Sequence, residues 1–163
     1  MKTPRFLCLT LLTAALSFGG CATPAGKIET NKAVARKVFE EVLGQGRIDE
    51  NEHLYSPKFA AHSITQSAGR AEDREATKGW RTAFPDLKMS VTHVVAEGDF
   101  VTVRFIARGH NTGQGNGMPG NGKFVQITGI AIFRLENGQI TDEWSDFDEL
   151  GLSRQLGLLS AGN

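Results

Sequence analysis

Trp144, Asp146 and Asp148 stand two residues apart near the end of the chain. In a strand such residues share one face, so a cavity lined by Trp144 would receive both carboxyls. Apolar surroundings favour the neutral form of a carboxyl and raise its pKa toward values useful for proton transfer. A second carboxyl nearby pushes one of the two higher still. Asp148 suits equally the N-cap of a helix beginning near Glu149, and the sequence leaves both roles open. His62, which follows Phe59-Ala60-Ala61, has the residue type that shuttles protons near neutral pH or orients a carbonyl. His110 ends a strand at the edge of a glycine-rich segment, a place that would rim a cavity. Trp80, Phe84 and Trp144 are the candidate apolar walls, with plain core packing as the alternative. The four histidines and the acids lack metal-ligand spacing such as H-x-x-x-H, and no Ser or Cys nucleophile motif occurs.

These side chains need elements to hold them. Val34, Val38 and Val42, with Ala35 and Phe39 beside them, form the apolar stripe of a helix over 30–43. Thr30 or Asn31 can cap its start, and Gly44 or Gly46 its end. A short helix is expected from Ile48 to Tyr55, stopped by Pro57. A third runs from Arg70 to Phe84, with Ala76, Trp80, Ala83 and Phe84 on one face. The period then changes to two, over 89–95 and again over 101–107. Residues 109–122 carry too much glycine for either element and are expected to form a flexible hairpin connection. A long strand over 125–135, an Asn137-Gly138 turn, a returning strand Ile140 to Phe147 and a helix over 149–159 complete the chain. Helices followed by an antiparallel meander predict an α+β fold, with the helices packed on one face of the sheet.

The 163 residues suffice for one domain with a real core. Equal numbers of basic and acidic side chains, 18 of each, argue against nucleic acid as a partner. Residues 1–21 read as a secretory signal peptide: Lys2 and Arg5, an apolar run from Phe6 to Phe18, then Gly19-Gly20-Cys21. That ending resembles a bacterial lipobox, with Cys21 the lipidation site, although Phe18 replaces the usual aliphatic residue. Residues 22–29 read as a flexible tether, and 30–163 as the folded domain. Removing Lys2 and Arg5 takes the basic count from 18 to 16 against 18 acids, a net charge of −2. Anionic lipid gives such a protein no help, so the membrane is reached only through acyl chains on Cys21. The expected location is the cell envelope, on the periplasmic side of the outer membrane in a Gram-negative cell.

A series of short motifs runs through the mature chain: Phe84-Pro85-Asp86-Leu87, Glu97-Gly98-Asp99-Phe100-Val101, Gly109-His110-Asn111-Thr112-Gly113, Glu143-Trp144, Asp148 and Gln155-Leu156-Gly157. In this order and spacing they resemble the SnoaL-like polyketide (ester) cyclase family, within the NTF2-like superfamily. The resemblance covers about Val34 to Leu159. It implies an NTF2-like cone, with N-terminal helices packed in a curved antiparallel sheet. It also implies acid/base ring closure without metal or organic cofactor. On the family pattern Asp148 and His62 become the catalytic residues; Trp80, Phe84, His110, Trp144 and Asp146 are the expected substrate contacts from their types and positions. The expected ligand is a small apolar molecule bearing a carbonyl, with cyclase, isomerase or hydratase chemistry. The alternative is a non-catalytic ligand-binding or dimer-forming lipoprotein; the signal peptide disfavours a transport adaptor. Val125, Ile127 and Phe133 occupy one face of the long strand, and Ile130 and Ile132 the other. That second apolar set predicts a homodimer, since a lone domain should not leave it exposed.

Overall fold

The computed structural model describes residues 24–159. The expected signal peptide and Cys21 lie outside the described residues. Helix α1 spans Pro24–Lys37 and so begins inside the segment expected to be a tether. It winds on into a π-helical turn, Val38–Leu43. The predicted short helix at 48–55 is only a single 3₁₀ turn, Glu52–Leu54. Strand β1, Tyr55–His62, starts where that helix was expected to end. Pro57 is accommodated because the pairing of β1 is irregular between Tyr55 and Ala60, where no ladder bond from residue 57 is needed.

Strand β2 is Ser67–Gly69 and helix α2 is Arg70–Ala83. Strands β3 (Lys88–Glu97), β4 (Phe100–His110), β5 (Phe124–Glu136) and β6 (Gln139–Phe147) follow, then helix α3, Glu149–Leu156. The six strands form one curved, unclosed sheet in the order β2-β1-β6-β5-β4-β3. The β1–β6 pair is parallel and the rest are antiparallel, so the predicted meander gains two strands on its far side. Asn137 and Gly138, both at positive φ, make the tight β5–β6 turn.

Alternation along β4 and β5 decides where the core lies. Val101, Val103 and Phe105 point inward with Ala131, Phe133 and Leu135, and all are buried. Phe39 of the π turn stacks on Phe105 with ring centroids 4.7 Å apart. Leu152 and Leu156 of α3 close the same core. An aromatic pair of this kind contributes about 0.5–1.5 kcal/mol beyond its burial.

The glycine-rich segment is not a loose connection. Buried Asn111 donates to the carbonyls of Ala83 and Gly113 (both 3.0 Å) and accepts from Gly120 N–H (2.9 Å). Asn116 donates to the Ala76 carbonyl at 2.9 Å. A Cβ on Gly113 or Gly115 would collide with the backbone carbonyl of Thr82 or Gly79 respectively. The absence of side chains lets the segment lie directly on α2, so it buttresses the helix and is not a hinge.

Candidate functional site

Between the helices and the concave side of the sheet lies an apolar cavity of about 340 Å³. The π turn supplies Val38, Phe39, Val42 and Leu43 to its wall. Trp80 and Phe84 of α2 also line it, as their types suggested, with ring centroids 6.0 Å apart. Phe147 meets Trp80 edge-on at 5.5 Å.

On β6 the residues facing the cavity are Glu143, Ser145 and Phe147. Trp144 and Asp146 therefore project from the opposite face, and the expected lining by Trp144, Asp146 and Asp148 is corrected. Trp144 finds its partners outside: it stacks on His62 at 4.9 Å and lies 6.4 Å from Phe100. Asp148 is the N-cap of α3 and accepts from the backbone N–H of Gly151 at 2.7 Å.

His62 pairs with Trp144 in the sheet register and shares its face, so its imidazole turns from the cavity while the residue borders the cavity's rim. Its Nε2 donates to Asp142 Oδ1 (2.9 Å), and Nδ1 lies 2.9 Å from Ser67 Oγ. Burial alone would raise the Asp142 pKa. Hydrogen bonds from His62 and Thr141, with the Arg134 charge, outweigh it and hold this carboxyl below its ordinary value. His62 and Asp148 are not brought together.

His110 also stands apart from the cavity. Its Nδ1 and its backbone N–H both donate to Asp86 at 2.7 Å, which holds the Asp86 carboxyl below its usual range. The ring leans on Phe124, 5.2 Å away.

The charged groups that do line the cavity are Asp73 of α2 and Glu143 of β6. Neither was expected. Asp73 lies seven residues before Trp80, and Thr77 falls between them, so all three share a helix face. Arg70 holds this corner. It donates to Glu52 through Nε (3.0 Å) and Nη2 (2.8 Å), and to Asp73 through Nη1 (2.5 Å). Its guanidinium also lies 3.5 Å from the centre of the Tyr55 ring. Arg74 adds a third bond to Glu52, at 3.1 Å.

Burial pushes the Asp73 carboxyl above its ordinary value, and Arg70 only partly offsets this. Burial, reinforced by the charge of Asp73, pushes Glu143 from 4.5 up to about 8. Burial likewise raises the Tyr55 hydroxyl, with Glu143 adding to it, and keeps that hydroxyl a neutral donor. Among the described residues, neither the Glu143 carboxyl nor the Tyr55 hydroxyl has a hydrogen-bond partner. The arrangement can hold one carboxyl protonated and one ionised beside an apolar ligand, which is what removing one proton and delivering another requires. Among the described residues, no cluster of His, Cys, Asp and Glu could hold a metal ion.

The sequence profile of SnoaL-like polyketide cyclases matches residues 33–156. No curated protein is similar enough to count as a match. Among solved structures, TsrD from Streptomyces laurentii superposes with a TM-score of 0.72 at 26% identity, covering 80% of this chain and 97% of its own. A protein from Jannaschia sp. CCS1, described as a candidate SnoaL-like polyketide cyclase, has the same TM-score at 25% identity, with 81% and 94% covered. AclR from Streptomyces galilaeus, described as a candidate hydroxylase, reaches 0.74 at 22% identity, with 82% and 99% covered, and speaks for the fold alone. The profile spans most of the chain, and the curved sheet around helices is the NTF2-like cone; the chain belongs to the SnoaL-like polyketide cyclase family.

Proposed function

We propose that the chain binds a small, largely apolar molecule with an enolisable carbonyl and catalyses proton transfer on it, in an isomerisation or ring closure of the polyketide or ester cyclase type. Asp73, ionised against Arg70, takes the proton from the carbon beside the carbonyl. Glu143, protonated at neutral pH, gives its proton to the carbonyl oxygen. The product is the enol, with one proton lost at carbon and one gained at oxygen. Attack of that enol carbon on a second carbonyl of the same molecule would close a ring.

The observation that carries this reading is the unequal pair in one apolar cavity: Asp73 bonded to a guanidinium, and Glu143 with no hydrogen-bond partner among the described residues. The roles first expected of Asp148 and His62 pass to these two. The test is exchange of the α-hydrogens of ethyl benzoylacetate into D₂O, followed by proton NMR. Wild type should accelerate it, and Glu143→Gln and Asp73→Asn should each lose roughly 10²–10⁴ in rate. No acceleration by wild type leaves ligand binding without catalysis as the better account.

Two further parts of the proposal rest on other observations. The signal-peptide pattern and Cys21 support an exported, lipid-anchored protein. Cys21→Ala should then move it from the membrane fraction to the soluble one, and identical fractionation would count against the anchor. The outer face of the sheet carries exposed Phe100, Ile130, Ile132 and Trp144. On that face Arg104 and Asp146 flank Ile130 from the two neighbouring strands, basic on one side and acidic on the other, and a two-fold axis would bring the two signs together; this supports a second copy as the occupant.

A further inference from the structure

One helical turn beyond Asp73, and two residues along the strand from Glu143, the cavity contains a second pair of polar groups. Thr77 and Ser145 both line it. Thr77 is 8% exposed. Among the described residues, neither hydroxyl has a hydrogen-bond partner. Two nearby threonines behave otherwise: Thr82 donates to the Lys78 carbonyl at 2.9 Å, and Thr141 to that of Arg134 at 3.2 Å. Ser145 is exposed at the cavity's edge, so the desolvation cost of an unpartnered buried hydroxyl, which a ligand atom can remove, falls on Thr77.

The spacing of the two pairs follows from the elements that carry them. Four residues along an α-helix advance about 6 Å. Two residues along a strand advance about 6.5–7 Å. Thr77 is thus displaced from Asp73 by nearly the same length as Ser145 from Glu143.

We propose that Thr77 and Ser145 form a second polar subsite that donates hydrogen bonds to an oxygen of the ligand about 6–7 Å from the one held at Asp73 and Glu143. The inference rests on the ligand-binding reading above and narrows it to compounds with two oxygen functions on an apolar frame. These are keto-esters, diketones and alkoxy- or hydroxyaryl ketones, as opposed to monoketones. The rest of the wall is mainly hydrocarbon and aromatic, so such a ligand is neutral between its two oxygens.

The test compares 4′-methoxyacetophenone, whose oxygens sit at the two ends of the ring, with 4′-ethylacetophenone, which has the same shape and lacks the second oxygen. 2′-Methoxyacetophenone, with adjacent oxygens, is the spacing control. Affinities are read by calorimetry on the full-length protein. Wild type should prefer the 4′-methoxy compound by about three- to tenfold over both others, the range of one net hydrogen bond. Thr77→Val and Ser145→Ala should each shrink the preference and together abolish it, leaving the 4′-ethyl compound bound as before. Equal binding of all three by wild type overturns the subsite and needs no variant. So does a preference that survives both substitutions. Binding of none of them overturns the ligand reading as well, whereas loss of proton exchange with retained binding overturns only the catalytic part.

Discussion

Asp73 and Glu143 face the same cavity with opposite support: Asp73 bonds Arg70 at 2.5 Å, and Glu143 has no hydrogen-bond partner among the described residues. The asymmetry begins in sequence. Asp73 follows Arg70 by three residues on a helix, the spacing at which side chains meet. Glu143 sits on a strand face whose other members, Ser145 and Phe147, carry no positive charge. Arg70 thus favours the ionised form of Asp73 against burial, while nothing of that kind opposes burial at Glu143 as closely.

This predicts a pH-dependent stability traceable to one residue. The folded chain keeps the Glu143 proton up to about pH 8, while the unfolded chain releases it near 4.5. Between these values the folded state binds the extra proton, so this group's contribution falls as pH rises through the window. Glu143→Gln removes that slope. The variant should match wild type near pH 4 and exceed it by about 2–4 kcal/mol at pH 8 in urea unfolding. Parallel pH profiles for the two proteins would show that Glu143 ionises normally.

Arg70 should matter more for folding than surface ion pairs do. Its side chain is 12% exposed and bonded to two carboxyls. Arg70→Met leaves Asp73 uncompensated and Glu52 with Arg74 alone, and should cost about 3–5 kcal/mol. Arg70→Lys should recover only part of this, because one ammonium cannot reproduce the two-bond fork to Glu52 while also bonding Asp73. Equal melting of Lys and Arg proteins would refute the fork.

The periodicities that read well are those where one face is uniformly apolar. Along β4 and β5, Val101, Val103, Phe105, Val125, Ile127 and Phe133 alternate inward in the parity their types imply. On β6 the same logic misled, because Trp144, the largest apolar residue, lies on the outer face against His62. A change of parity by one residue exchanges the faces, which put Asp146 in the cavity on paper and left Glu143 out. Half-buried Phe147 carried the correct parity, whereas buried Ile140 carried the other, because the β5–β6 register shifts between residues 140 and 142. Asp73 was hidden in the charged run Arg70-Ala-Glu-Asp-Arg-Glu; its place seven residues before Trp80 was the signal. Strand β1 was obscured by Pro57, which reads as a helix stop and not as a tolerated irregularity in a strand.

Asp148 as a cap makes a distinct prediction. Asp148→Ala should cost about 1 kcal/mol, and Asp148→Asn much less, because Asn caps comparably. Neither should alter ketone affinity or α-hydrogen exchange. A large loss of exchange in Asp148→Asn, with an unchanged melting temperature, would return the residue to the chemistry.

The outer face should answer to a single charge. Ile132 is 39% exposed and pairs with Trp144 at the centre of the apolar row. Ile132→Glu places a carboxylate in the proposed two-fold interface and should turn a dimer into a monomer in light scattering at micromolar concentration. The isolated fold should survive, since the side chain is outside the core. A wild type that is already monomeric at that concentration removes the basis for the pairing.

The glycine-rich segment should tolerate side chains poorly where it lies against α2. A Cβ at residue 113 meets the backbone carbonyl of Thr82, and backbone cannot rotate away as a side chain tip can. Gly113 also donates its N–H to the Ala83 carbonyl at 3.2 Å, so relief of the clash would break that bond. Gly113→Ala should therefore cost roughly 2 kcal/mol or more, within the range for overpacking plus a lost buried hydrogen bond. Gly117 has a positive φ of 75° but open space around its Cβ position, so Gly117→Ala should cost only about 1 kcal/mol of backbone strain. The ordering is the check: thermal unfolding should rank Gly113→Ala well below Gly117→Ala. Because α2 carries Asp73, Thr77 and Trp80, the Gly113 variant should also weaken ketone binding while the Gly117 variant leaves it intact. A Gly113→Ala protein as stable as wild type would mean that the segment does not brace the helix.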